Sequence, residues 1–366
     1  MAVELGLMSG TSLDGIDGVA VEFEAPSPRV LAHVHLPFDP ALQAELLALN
    51  TAGPDELHRA ALAANGVARA YAATTATLLQ AAGLAAQAVR TIGAHGQTVR
   101  HRPREFDGTG YTLQLLNGAL LAELTGIDVV CDLRSRDVAA GGEGAPLVPA
   151  FHAEIFGTPG VDVAVLNLGG IANLTLLPAD GGVAGFDCGP GNALLDHWAR
   201  RHLGRAYDAG GAWAAGGRVD DTLLAALLAE PFFARTPPKS TGRDLFNEVW
   251  LTAMPLAGVA PQDVMATLAE LTARGAIDAL AQHAPATARL VVCGGGAFND
   301  HLMARLAVLL PQARVMSSAE LGVPPDQVEA IAFAWLARAY RERLAGNRVA
   351  VTGARGERVL GALYPA

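Results

Sequence analysis

A chain of 366 residues, 51% hydrophobic and 17% charged, is long enough for two cores, and its formal net charge of -10 argues against a protein built to grip a nucleic-acid backbone. No apolar run is long enough to cross a bilayer, and the opening MAVELGLMSG has neither the basic region nor the cleavage site of an export signal, so a soluble cytoplasmic protein without membrane partners is expected. Cys131, Cys188 and Cys293 are odd in number and widely spaced, which suggests neither a disulfide framework nor a zinc site.

Residues 3–23 hold two apolar runs around a turn rich in Gly, Ser, Thr and Asp, the pattern of a β-hairpin. A second hairpin of the same kind begins at Val161, so two lobes of related architecture are expected. Helical spacing marks 41–49, 55–80, 193–202, 221–228, 262–282 and 327–344. Strands alternating with helices indicate an α/β fold. Val323-Pro324-Pro325-Asp326 is a stop-and-cap sequence for the last helix, which is expected to return to the first lobe. The domains are read as 1–150 plus 326–366, and 151–325, with a ligand cleft between them.

Gly10-Thr11-Ser12-Leu13-Asp14-Gly15-Ile16-Asp17 has the glycine spacing of a Walker loop, but no Lys-Ser/Thr follows and the next element is a strand. It reads either as a hairpin phosphate loop or as a tight turn with local hydrogen bonds. His95, Gln97 and Thr98 close a short apolar strand, where α/β sheets place ligand contacts. His95 suits a structural role, and Gln97 and Thr98 suit sugar hydroxyls. Arg134 behind the strand ending at Cys131 is either part of a salt-bridge network or a fork for an anionic group. Arg100, Arg102 and Arg104 read as a solvated loop. Asp187, beside Gly189-Pro190-Gly191, is positioned as a general base requires or is a turn former, and Asn192 suits a helix cap, a ligand contact, or both. Residues 237–243 read as a surface loop. Gly294-Gly295-Gly296 after a buried strand suits the approach of a nucleoside ring or close helix packing. Glu329 reads by default as an exposed salt-bridging residue.

Together and in order, MSGTSLDGID, AHGQTVRH, GAPLVPAFH, NLGGIAN, GPGN, PPKSTGR and CGGGAFN resemble the anhydro-N-acetylmuramic acid kinases, a branch of the actin and hexokinase superfamily. The resemblance runs from Gly6 to Phe333 and implies a two-lobed actin-like (ribonuclease H-like) fold with ATP in the interdomain cleft. It implies phosphate contacts from residues 10–17 and from Gly169 and Gly170, and an adenosine pocket at Gly294, Gly295 and Gly296. It further implies Asp187 as base with Glu329 in support, and sugar contacts from Gln97, Thr98, Arg134 and Asn192. Asp14 is the residue assigned to magnesium, through water. The implied reaction opens 1,6-anhydro-N-acetylmuramic acid with water and phosphorylates it from ATP, a step of peptidoglycan recycling; a homodimer is a further expectation of the family. A kinase of another hexose, or an ATP-gated binding protein, are the alternatives. Cys188, Glu143 and Asp244 stand where the family more often has Thr, Gln and Glu.

Overall fold

The computed structural model describes residues 3–24 and 27–366. The chain divides into two compact units, Met1–Phe151 with Gln327–Ala366, and His152–Asp326. In the first, β1 (Val3–Met8), β2 (Gly15–Glu24) and β3 (Ser27–Pro37) form an antiparallel meander, and β4 (Val89–Ala94) runs parallel to β1. The strands β5 (Gln97–Pro103) and β6 (Gly110–Leu115) make a separate ribbon. The strand β7 (Val129–Cys131) then lies parallel to β4, and the C-terminal strand Ala362–Tyr364 closes that edge.

Alternation along β1 sends Leu5 and Leu7 into a core with Ile92 and with Val67 and Tyr71 of helix Glu56–Ala82. Gly6 therefore points to the other face, where it pairs in register with Gly93 of β4. Helix Val328–Arg341 lies directly on these two glycines. A Cβ on Gly6 would stand 1.9 Å from the Ala330 carbonyl oxygen, and one on Gly93 1.9 Å from that of Phe333. The helix ends earlier than the apolar spacing predicts. Arg343 turns left-handed (φ 61°) and the Leu344 N–H donates back to the Ala339 carbonyl at 2.8 Å.

The second unit repeats the sheet order with different residues. Its β8 (Val163–Leu168), β9 (Ile171–Leu177) and β10 (Ala184–Pro190) form the meander, and β11 (Arg289–Cys293) and β12 (Arg314–Ser317) add in parallel beside β8. Leu166, Leu174 and Val292 bury against Ala273, Ala276 and Leu280 of helix Pro261–His283. Both sheets are mixed and both carry helices, so the α/β class and the two hairpins expected from the sequence are present. All three cysteines are buried. Among the described residues no helix is long and apolar enough to cross a membrane.

The seat of the last helix is testable. Gly93→Ala should lower the urea unfolding free energy by about 3 kcal/mol, because neither a helix carbonyl nor a strand backbone can yield. Unchanged stability would show that the helix does not approach the sheet this closely.

Candidate active site

The turn after β1 is built by the Leu13 N–H donating to the Gly10 carbonyl at 3.2 Å, with Leu13 itself left-handed (φ 58°) and buried. Leu13 and Ile16 are core residues, which corrects the expectation that every residue from Gly10 to Asp17 faces a ligand. Thr11, Ser12 and Asp14 are the exposed ones, and the Ser12 hydroxyl donates to Asp14 at 2.8 Å. Asp17 accepts from His33 and His35 on β3, and these bonds hold its carboxyl below the usual range although burial opposes them. Gln97 is wholly buried, and its amide donates to the Gly10 carbonyl at 3.0 Å. It is a strut under the turn, not the sugar contact expected of it. Thr98 is half-buried and accepts from Gln114 at 3.2 Å.

His95 lies between Ser9 and Arg134. Its Nδ1 faces the Ser9 carbonyl at 3.0 Å, and a carbonyl only accepts, so Nδ1 carries the proton. Its Nε2 then accepts from Arg134 at 2.9 Å, and Phe333 covers the ring at 4.7 Å. Burial, with the Arg134 charge second, pushes the His95 pKa down to about 3, so the ring is neutral and structural. Arg134 gives another donor to the Gly144 carbonyl at 2.8 Å. Burial lowers its pKa to about 10, which leaves it cationic. Glu329 reaches solvent and makes no ion pair or hydrogen bond among the described residues, contrary to the salt bridge expected by default. Crowding by protein raises its pKa, the Arg134 charge opposes that shift, and Asp17 adds to it.

Of the arginines after β4, Arg102 and Arg104 are exposed as expected, whereas Arg100 is largely covered, and Arg100 and Arg102 lie on the strand β5 and not in a loop. Arg100 pairs with Glu56 at 2.6 Å and Arg104 with Glu143 at 3.1 Å. The second pair also engages the negative charge of Glu143.

In the second unit Phe186 and Cys188 join the core, so the intervening Asp187 projects from the opposite face of β10. Cys188 is buried, so its substitution for a hydroxyl-bearing residue changes packing and not a ligand contact. Residues 237–243, read from the sequence as an ordinary loop, wrap Asp187. The Asp187 N–H donates to the Lys239 carbonyl at 3.2 Å, and the Thr241 N–H donates to Asp187 Oδ2 at 2.9 Å. The Ser240 side chain hydrogen-bonds the same carboxyl. Lys239 is buried and clamps the loop by donating to the Phe232 and Phe233 carbonyls. Burial raises the Asp187 pKa above the ordinary carboxylate range, and the two loop donors hold the rise in check. Sequence reasoning missed Ser240, Thr241 and Lys239 as partners of Asp187, although PPKSTGR already stood out as a motif.

A cavity of about 330 Å³ lies in the same unit, lined by Asn192, Asp196, Tyr207, Gly295 and Phe298 among others. Tyr207 and Phe298 are 62% and 57% exposed. Two such rings lining one cavity with a glycine suit a flat heterocycle. Of the three glycines after β11, only Gly295 lines the cavity. A Cβ on Gly294 would meet the Asn167 side chain at 2.5 Å, and one on Gly296 would meet Leu168 Cβ at 2.4 Å, so these two serve packing. Asn192 is not the helix cap, a position held by Gly191. Its amide donates to the Leu168 carbonyl at 2.8 Å, and the residue lines this cavity. The Gly169 and Gly170 carbonyls accept from the N–H groups of Gly191, Asn192 and Ala193, which ties the second hairpin turn to the wall of the cavity.

Over residues 2–366 the chain matches the family of anhydro-N-acetylmuramic acid kinases. It is 60% identical to the anhydro-N-acetylmuramic acid kinase of Variovorax paradoxus, with 100% of both chains covered. It is 59% identical to that of Albidiferax ferrireducens, with 99% of each chain covered. The solved activator of the 2-hydroxyisocaproyl-CoA dehydratase from Clostridium difficile aligns at TM-score 0.47 and 14% identity over 93% of this chain and 97% of that one. That likeness is too weak to inform fold or chemistry.

Removing the Ser240 hydroxyl takes away one of the groups that favour the ionised Asp187 carboxyl. Carbon NMR titration of Asp187 in Ser240→Ala should therefore show its pKa moved further upward. A downward shift would contradict the hydrogen bonding described.

Proposed function

The chain belongs to the anhydro-N-acetylmuramic acid kinase family, and from that membership we propose that it converts 1,6-anhydro-N-acetylmuramic acid to N-acetylmuramic acid 6-phosphate, using water and ATP, in cytoplasmic peptidoglycan recycling. The observation that carries the reading is Asp187, half-buried, held by Thr241 and Ser240, and raised in pKa toward the range where a general base works well. Asp187 takes one proton from the attacking water. The remaining hydroxyl bonds to the anomeric carbon, and the bond from that carbon to the 6-oxygen breaks with its electron pair on oxygen. That oxygen bonds to the γ-phosphorus, and the bond from phosphorus to the bridging oxygen breaks with its pair left on ADP. Asp187 then releases its proton to solvent. A protonated carboxylic acid is unnecessary for the leaving oxygen, because phosphoryl capture takes its place.

The cavity at Gly295, which Tyr207 and Phe298 also line, would take the adenosine, with the Gly169 and Gly170 turn tied to its wall available to phosphates. We assign Glu329 as the supporting carboxylate and Arg134, cationic and only partly committed, to the anionic side of the sugar. Asp14 would help hold a magnesium ion, which would offset phosphate charge. Among the described residues no cluster of three or more acidic, His or Cys side chains could hold an ion by itself. The single exposed Asp14 fits an ion that keeps its waters and leans on phosphate oxygens.

Asp187→Asn should reduce kcat roughly 10²- to 10⁴-fold, the usual worth of a general base, while leaving the KM for ATP nearly unchanged. Full activity in that variant would remove Asp187 from the role. In heavy-oxygen water the promptly analysed product should carry one label at the anomeric position and one phosphate. A phosphorylated product without label would point instead to an already open hexose as the substrate.

A further inference from the structure

Arg243 ends the loop that holds Asp187, and its guanidinium lies against Gly170. A methyl group built on Gly170 would stand 3.0 Å from its Nη2 and 3.3 Å from its Nε, so the fork approaches the turn along its edge. Among the described residues this exposed side chain makes no ion pair and no hydrogen bond. Its electrostatic neighbour is Asp196, a lining residue of the cavity, whose burial-raised pKa the Arg243 charge helps to pull back. The other cation of the loop, Lys239, is buried and spent on carbonyls. The loop itself cannot drift, because Lys239 and Asp187 fasten it on either side of Ser240.

A guanidinium without a hydrogen bond among the described residues, beside a Gly-Gly turn that is tied to the wall of a cavity with two exposed rings, has the placement of a group that meets an oxyanion attached to whatever the cavity holds. We propose that Arg243 binds the polyphosphate of the nucleotide and offsets the negative charge that spreads over the phosphoryl oxygens during transfer. Its guanidinium donates hydrogen bonds only and exchanges no atom with the substrate. The inference rests on the nucleotide reading given above and adds to it a residue that the sequence leaves as an ordinary loop cation. Gly170 then has a stated purpose: it leaves room for the guanidinium to reach the turn.

Calorimetric titration of wild type and Arg243→Ala with ADP and with adenosine separates the possibilities. The expected result is a roughly 10- to 100-fold loss of ADP affinity in the variant, the worth of charge-assisted hydrogen bonds, with adenosine affinity within about twofold of wild type. Arg243→Lys should recover part of the loss, because the charge remains and the fork does not. Unchanged ADP affinity would overturn the proposal. So would an equal fall for adenosine and ADP, which would make Arg243 a support for the cavity wall. Wild type that binds neither ligand would overturn the nucleotide reading itself, and this inference with it.

Discussion

Two glycines on neighbouring strands decide where the helix Val328–Arg341 can lie, and much of the first unit follows from that seat. With Gly6 and Gly93 side by side, the helix backbone comes down onto the sheet until its carbonyls would touch any added carbon. Phe333 is thereby brought against His95, and Glu329 is set one turn earlier on the same helix. His95 fills the space between Ser9 and Arg134, and Arg134 leans on Gly144. Gly144 in turn donates to Asp137, which accepts from Asn347 and Thr352. The chain after the helix thus returns to brace the arginine, and Arg134 stays cationic although burial lowers its pKa to about 10, the Glu329 charge opposing that shift.

The second unit reaches a comparable result by different means. Its strand order matches that of the first, yet its carboxylate is fixed by a loop instead of by a helix. Lys239 is the unusual component. Burying a cation without a carboxylate is costly, and carbonyl acceptors with the face of Phe232 at 4.8 Å offset that cost. What the arrangement secures is the path of the next residues, whose hydroxyl and N–H reach Asp187. The same residues carry Arg243 to the Gly169 and Gly170 turn, so base and cation share one support.

The contrast between Asp187 and Glu329 shows how two carboxylates can share a direction of shift for different local reasons. Burial raises both. Asp187 is restrained by hydrogen bonds that favour its charge, whereas Glu329 is restrained by the Arg134 charge and pushed further by Asp17. A base that must ionise is better served by the first arrangement, since hydrogen-bond donors also fix its orientation.

The sequence by itself determined the α/β class, the two hairpins, the existence of the principal helices and the motifs that resemble one family, because periodicity and turn chemistry are local properties. It also singled out Asp187, beside the Gly189-Pro190-Gly191 turn, because a carboxylate at a strand end next to such a turn is held in a fixed position. Tertiary structure alone decided which polar residues are free to act. Gln97 and Asn192 look alike as ligand contacts in one dimension, yet packing buries Gln97 with its amide nitrogen on the Gly10 carbonyl and leaves Asn192 lining the cavity. Residues 237–243 look like an ordinary loop, yet long-range contacts with β10 and with Phe232 and Phe233 make them the frame of the base. Of three adjacent glycines, only Gly295 faces open space, because the neighbours of the other two come from a strand more than 120 residues away. Such commitments depend on partners distant in the chain, and no local pattern encodes them.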